Sequence, residues 1–249
     1  VSRMTVKKKE DFQPRAHMKC IGEVPQIPMK KRSRESSNIL NILNEKTDPR
    51  FEEALQLVRG KVEYSAWRHH SKTILVTSAL AGEGKSTLAV NLALAFIKSG
   101  KRTALIDCDL RHPTDRKILG LEEGAGLYEV LAKEAKLADV LLTGKAMGMD
   151  EEFKFCFLPG GKPADDGSRL LDSKRMQKVI EAVEEKVDYV ILDSAPAGLL
   201  TDAGVLAQYA DSAVFVIKRD FANTSHIMDG LEELAESRIH LIGGILNGV

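Results

Sequence analysis

No stretch of this 249-residue chain approaches the ~20 consecutive apolar residues that a membrane-crossing helix needs, and its start carries no signal-peptide pattern. Cysteine is scarce. Cys20, Cys108 and Cys156 show no metal-ligand spacing and no evident pairing, which argues against a cysteine metal centre or a disulfide framework and fits a reducing compartment. Internal repeats and low-complexity tracts are absent too. So is net charge, with 36 basic residues against 36 acidic ones. These absences leave a soluble cytoplasmic protein as the expectation, long enough to bury a full core as one α/β domain with an N-terminal extension. The chain opens on Val1 rather than Met, so it reads as part of something longer.

The balanced total hides an uneven distribution. Residues 1–34 hold ten Lys and Arg against Glu10, Asp11 and Glu23, a net +7 that the remainder offsets with −7. Such a segment suits an anionic neighbour, lipid headgroups or nucleic acid, or is simply a solvated tail. With Pro14, Pro25 and Pro28 and little periodicity, residues 1–47 are expected to form a linker or loosely docked arm, and residues 48–249 the folded domain. Asp48-Pro49 signals a helix start, with Asp as cap and Pro in the first turn. In the helix that follows, Phe51, Ala54, Leu55, Val58 and Val62 share a packing face, while Glu53, Gln56 and Arg59 lie on a polar side.

From residue 73 onward, expected strands at 74–77, 103–107, 153–158, 188–192, 213–217 and 241–246 alternate with expected helices at 85–99, 127–142, 173–186, 201–209 and 225–236. Continuous Val/Ile/Leu runs imply a mostly parallel sheet covered on both faces, hence a doubly wound α/β fold with ligands at the carboxyl ends of its strands. At one such end stands T-I-L-V-T-S-A-L-A-G-E-G-K-S-T, residues 73–87: an apolar strand, a glycine-bearing loop, then an apolar helix. This is the layout of a P-loop, in which backbone N–H groups at a helix N-terminus cradle phosphates. Lys85 would reach the β/γ phosphates and Ser86 would ligate Mg²⁺. Ala79 occupies the position of the first glycine in the strict pattern. The candidate nucleotide-binding residues are Ala81, Gly82, Glu83, Gly84, Lys85, Ser86 and Thr87.

Two more strands end in aspartate. In Asp107-Cys108-Asp109-Leu110-Arg111 the two carboxylates share one face while Cys108 turns into the core. Tyr189-Val190-Ile191-Leu192-Asp193 closes an apolar run on a single carboxylate, a Walker B pattern. Magnesium keeps several waters and takes few protein ligands, so the expected metal set is Ser86 directly, with Asp109 and Asp193 acting largely through water.

Together these strings resemble the bacterial protein-tyrosine kinases (BY-kinases) of capsule and exopolysaccharide export. Residues 78–87 look like their Walker A loop, with Ala81 in place of a usual proline; 104–113, A-L-I-D-C-D-L-R-H-P, resemble their Walker A′ motif; 187–198 look like their Walker B, with Ala195 in place of proline. The resemblance covers about 49–249 and extends weakly to Cys20-Ile21-Gly22-Glu23-Val24-Pro25, similar to the stretch after the second membrane span in fused co-polymerase kinases. It implies a P-loop fold of MinD/ParA type, ATP and Mg²⁺ as cofactors, and a location at the inner face of the plasma membrane. It also implies tyrosine autophosphorylation, with Asp107 as the base for the tyrosine hydroxyl. Arg111 would stabilise charge or form a structural pair, and Asn247 is a candidate contact to the base. The implied partners are a transmembrane co-polymerase or activator segment, a tyrosine-rich C-terminal tail acting in trans, a protein-tyrosine phosphatase, and an anionic membrane met by residues 1–34. A homo-oligomeric ring would use Glu53 and Arg59.

Two departures stand out. The four tyrosines, Tyr64, Tyr128, Tyr189 and Tyr209, are scattered and no tyrosine cluster follows the last strand. The family's ring motif E-x-x-R-x-x-R has Gln56 in place of its first arginine. Alternative readings are a MinD/ParA-like ATPase switch, against which Leu80 stands where a signature lysine belongs, and a catalytically weak nucleotide-binding adaptor of the polysaccharide machinery.

Overall fold

The computed structural model describes residues 4–27 and 41–249. It begins with a 3-10 turn and helix α1 (Phe12–Ala16), then strand β1 (Cys20–Val24), helix α2 (Pro49–Arg68), β2 (Thr73–Ser78), α3 (Lys85–Lys98) and β3 (Thr103–Asp107). Short helices α4 (Asp115–Ile118), α5 (Leu127–Leu131) and α6 (Leu137–Val140) lead to β4 (Leu142–Thr143) and β5 (Phe155–Leu158). The remainder is α7 (Gly167–Leu171), α8 (Lys174–Glu184), β6 (Tyr189–Asp193), α9 (Asp202–Ala207), β7 (Ser212–Lys218), α10 (Thr224–Glu236) and β8 (His240–Asn247). Among the described residues the sheet runs β1-β8-β7-β2-β6-β3-β5-β4, parallel throughout except for β4 against β5. The doubly wound α/β expectation is met.

Strand residues alternate between two cores. Ile74, Val76, Leu105, Ile191, Val214 and Val216 face one side with α2 and α3, while Leu75, Ala104, Ile106, Val190, Leu192 and Phe215 face the other with α8–α10. A period of two with both sets buried is what a strand covered on both faces requires. The expected caps hold: the Asp48 carboxylate accepts from the N–H of Arg50 (2.9 Å), with Pro49 in the first turn of α2. The helix expected over 127–142 is broken. Lys133 takes a left-handed φ of +67°, which ends α5, and Leu142 and Thr143 pair antiparallel with β5.

The N-terminal segment is the main correction. Residues 20–24, expected in a loosely docked arm, are the edge strand β1, paired in parallel with β8. Gly22 permits this: a Cβ there would lie 2.4 Å from Val58 Cγ2 of α2. Val6, Phe12, Ala16 and Met18 are buried in the core on the opposite face. Part of the basic charge is also matched internally, Lys7 with Asp220 (3.6 Å) and Arg15 with Asp11 (3.4 Å). Lys30, Lys31, Arg32 and Arg34 lie outside the described residues. No helix among the described residues is long and apolar enough to cross a membrane.

Candidate nucleotide and phosphoryl-transfer site

The carboxyl ends of β2, β3 and β6 meet in the middle of the sheet, and the loop leaving β2 wraps the N-terminus of α3. Gly84 caps that helix at φ +86°, a left-handed conformation, with Asn247 so close that a Cβ would lie 2.3 Å from its Nδ2. Glu83 holds the loop from within. Fully buried, it accepts from the N–H of Leu80 (2.7 Å) and from that of Lys218 at the end of β7 (2.9 Å). Burial pushes its carboxyl above the usual range, against the backbone N–H groups that favour its charge. Asn247 donates from Nδ2 to the Glu83 carbonyl (2.8 Å). Both residues, expected as nucleotide contacts, use their side chains to shape the loop, and neither lines the cavity in front of it.

That cavity, of about 350 Å³, is lined by Ala81, Gly82, Gly84, Lys85, Ser86, Thr87, Asp109, His112, Thr114, Ile118 and Pro196. The Lys85 ammonium lies 3.1 Å from Ser86 Oγ, 3.0 Å from Asp109 Oδ2 and 3.6 Å from Asp193 Oδ1. Burial works against its charge, but Asp193 and Asp109 outweigh that and hold the ammonium above its ordinary value. Beneath it, Asp107 and Asp193 sit opposite each other on β3 and β6. The Asp107 carboxylate accepts from the N–H groups of Asp109 (3.2 Å) and Asp115 (3.1 Å). Burial first, and the Asp193 charge second, raise Asp107 well above the usual carboxylate range. Cys108 is fully buried in the core, the packing role its alternation implied.

Two of the expected catalytic side chains do not line the cavity. Asp107, the expected base, is fully buried and does not line the cavity; Asp109 does. Arg111 turns away from the cavity, its Nε 3.9 Å from Asp202 Oδ2 and its Nη2 3.4 Å from Ser168 Oγ. Since Ser168 also donates to Asp202, Arg111 ties the loop after β3 to α7 and α9. This is the structural pair among the two roles considered for it.

His112, Thr114, Pro196 and Asp115 were not anticipated. Asp115 opens α4 two residues after Pro113, where a lone acid is indistinguishable from a helix-start residue. The return of the chain brings its carboxylate, fully buried, against Asp107 and Asp193. The three carboxylates offer hard oxygens only; Asp193 also meets the Ser86 hydroxyl and the Lys85 ammonium, and Asp115 lies against Asp193. Such a donor set fits Mg²⁺ beside a nucleotide.

The loop, the buried strand-end carboxylates and the sheet order define a P-loop nucleotide-binding protein, and residues 71–242 match the model of an AAA domain family. The chain belongs to that family and, within it, to the bacterial tyrosine-kinase family. It is 33% identical over 196 residues to the tyrosine-protein kinase YwqD of Bacillus subtilis (strain 168), covering 79% of this chain and 80% of the relative. It is 34% identical over 182 residues to the succinoglycan biosynthesis transport protein ExoP of Rhizobium meliloti (strain 1021), covering 71% of this chain and 22% of that protein. The solved BceF tyrosine kinase domain superposes with a TM-score of 0.82 at 25% identity, covering 99% of this chain and all of that one.

Proposed function

We propose that this chain is an ATP- and Mg²⁺-dependent protein-tyrosine kinase that phosphorylates itself and regulates capsular or exopolysaccharide polymerisation and export. The observation that carries the proposal is the cavity in which the Lys85 ammonium and the Asp109 carboxylate meet at 3.0 Å above the buried Asp193. Phosphoryl transfer asks a protein mainly to position groups and offset charge. ATP supplies the phosphoryl group and Mg²⁺ its charge compensation. Gly82, Gly84, Ser86 and Thr87 present the loop, Lys85 meets phosphate oxygens, and Ser86, Asp109 and Asp193 serve the ion. Tyrosine ionises near pH 10, so its proton needs an acceptor. Asp107 is the candidate for that role, while Asp109, which lines the cavity, serves the ion.

Self-association is proposed through α2. Its exposed face carries Leu57, Tyr64 and Trp67 at helical spacing. Arg59 bonds Gln56 Oε1 (3.3 Å) and pairs with Glu63, while Glu53 stays exposed. The acceptor in this reading is a tyrosine-rich tail presented in trans, reversed by a protein-tyrosine phosphatase. A membrane co-polymerase segment and an anionic inner membrane face, met by the basic residues of 1–34, complete the setting.

The test is incubation of the protein with ATP and Mg²⁺, alone and with an added tyrosine-rich peptide, followed by detection of phosphotyrosine. Phosphotyrosine is expected and Lys85→Met abolishes it. Phosphate release with no phosphotyrosine on either substrate would replace the kinase with an ATPase switch of MinD/ParA type.

A further inference from the structure

The end of β8 remote from the phosphate loop borders a second polar cavity. Asn247 closes β8 against that loop, and His240 opens the strand roughly 23 Å away at the usual rise per strand residue. Around His240, between α2, the entry to β1 and the start of β8, lies a cavity of about 550 Å³. Its charged lining is all of one sign: Lys19, Lys61, Arg68, His69 and His240, with no carboxylate. Among the described residues none of these five pairs with an acid. Asp211, whose carbonyl accepts from the His240 N–H (3.3 Å), turns its carboxylate to the N–H groups of Lys72 and Thr73 (2.7 and 2.9 Å).

The His69 and His240 rings stack with centroids 3.7 Å apart, and the buried Ser65 hydroxyl lies 3.2 Å from His240 Nε2. Burial first, then the charges of His69 and Lys19, push His240 below its ordinary value. Two imidazoles in contact among three permanent cations repel one another when protonated, and an anion relieves that repulsion. We propose that this cavity binds a diphosphate group. Three permanent cations and two imidazoles that can gain a proton match a ligand of about three negative charges better than a monoanion. The volume also exceeds what a single phosphate fills. Lysine and arginine supply charge-assisted bonds to phosphate oxygens, Arg68 with a planar fork. Cys20 and Tyr64, the other titratable groups of the lining, are neutral near pH 7 and do not oppose the anion. The inference rests on α2, β1 and β8 alone, so it and the kinase reading fail separately.

The experiment titrates inorganic pyrophosphate, without metal ions, into the full chain and follows the histidine C2 proton resonances by NMR, assigned with His69→Gln and His240→Gln. His112 lines the nucleotide cavity and reports that site separately. His69 and His240 should shift in the unaltered chain and equally in Lys85→Met, where the lysine of the phosphate loop is gone. Saturation should raise the pKa of His240, and by linkage affinity should fall as pH rises through about 6.5, where imidazoles lose their proton. Lys61→Gln and Arg68→Gln, both at exposed positions, should each bind about tenfold more weakly. Lys136→Gln, at the exposed start of α6, should bind as the unaltered chain does. Circular dichroism checks the fold of every variant. ADP added to Lys85→Met separates two sources of the group: affinity equal to that of pyrophosphate supports a nucleoside diphosphate, and lower affinity supports the free diphosphate. A shift confined to His112, sulfate binding as tightly as pyrophosphate, or unchanged affinity in both Lys61→Gln and Arg68→Gln overturns the proposal.

Discussion

Replacing Glu83 with alanine separates a residue that shapes the phosphate loop from one that touches the nucleotide. The carboxylate is fully buried and accepts from the N–H groups of Leu80 and Lys218 at 2.7 and 2.9 Å, joining the loop to the end of β7. Truncation leaves both donors without an acceptor, at about 1–3 kcal/mol each where water cannot reach them. Part of that is returned, because the raised pKa of Glu83 marks a burial cost that alanine does not carry. The net expectation is a loss of about 2–4 kcal/mol of stability. With a urea dependence of about 2–3 kcal/mol per molar, the unfolding midpoint should fall by roughly 1 M. Nucleotide affinity should fall as well, since Gly82 and Gly84 flank Glu83 in the loop. Glu83→Gln should lie between, because one amide oxygen still accepts while the NH₂ faces a donor. Equilibrium urea unfolding followed by circular dichroism measures the first effect and a fluorescent nucleotide titration the second. An unchanged midpoint in Glu83→Ala would refute the clasp, and lost affinity at full stability would return Glu83 to direct nucleotide contact.

Phe12→Ala removes a fully buried ring from the segment that sequence reasoning leaves as an arm, and should cost about 3–5 kcal/mol in urea unfolding; a loss below 1 kcal/mol would return the segment to that status. Burial raises Asp107 and Asp115 well above the carboxylate range, with Asp193 and Asp107 adding to it. In the unfolded chain these groups ionise near pH 4, so the fold holds more protons than the unfolded state above that pH. Stability in chelator should therefore fall as pH rises from about 4 through the raised values, by about 1.4 kcal/mol per group for each unit of separation. Asp115→Asn should flatten that fall, and an identical profile in the variant would contradict the assignment.

What the sequence made legible was whatever depends on local pattern. The P-loop strand, the Asp107-x-Asp109 alternation, the Walker B strand and the cap at Asp48 are each encoded within a few residues, and all fall where expected. The strand β1 is not so encoded. Five residues beside Pro25, with a glycine in the middle, carry no strand signal of their own; what makes them a strand is the open edge of β8 and the space that Gly22 leaves for Val58. Arg111 was ambiguous because its partner Asp202 lies 91 positions further on, in α9. Asp115 was silent because a carboxylate eight positions after Asp107 has no periodic relation to it, and only the turn through Pro113 folds it back.

Lys85 links these findings. Its ammonium lies between Asp109 and Asp193. A lysine that reaches for phosphate oxygens must give up at least part of that contact, leaving the carboxylates undercompensated at the moment more negative charge arrives. Phosphate binding and cation binding are then coupled, and by linkage each must strengthen the other. The coupling needs no movement of the sheet, only a lysine side chain long enough to serve either partner. Lys85→Met should therefore lose more than phosphate affinity: divalent-cation uptake without nucleotide should tighten, since Asp107, Asp109, Asp115 and Asp193 would remain with no ammonium among them. Mn²⁺ titration of that variant reads the effect directly, and weaker uptake than in the unaltered chain would show that the lysine organises the carboxylates rather than competing for them.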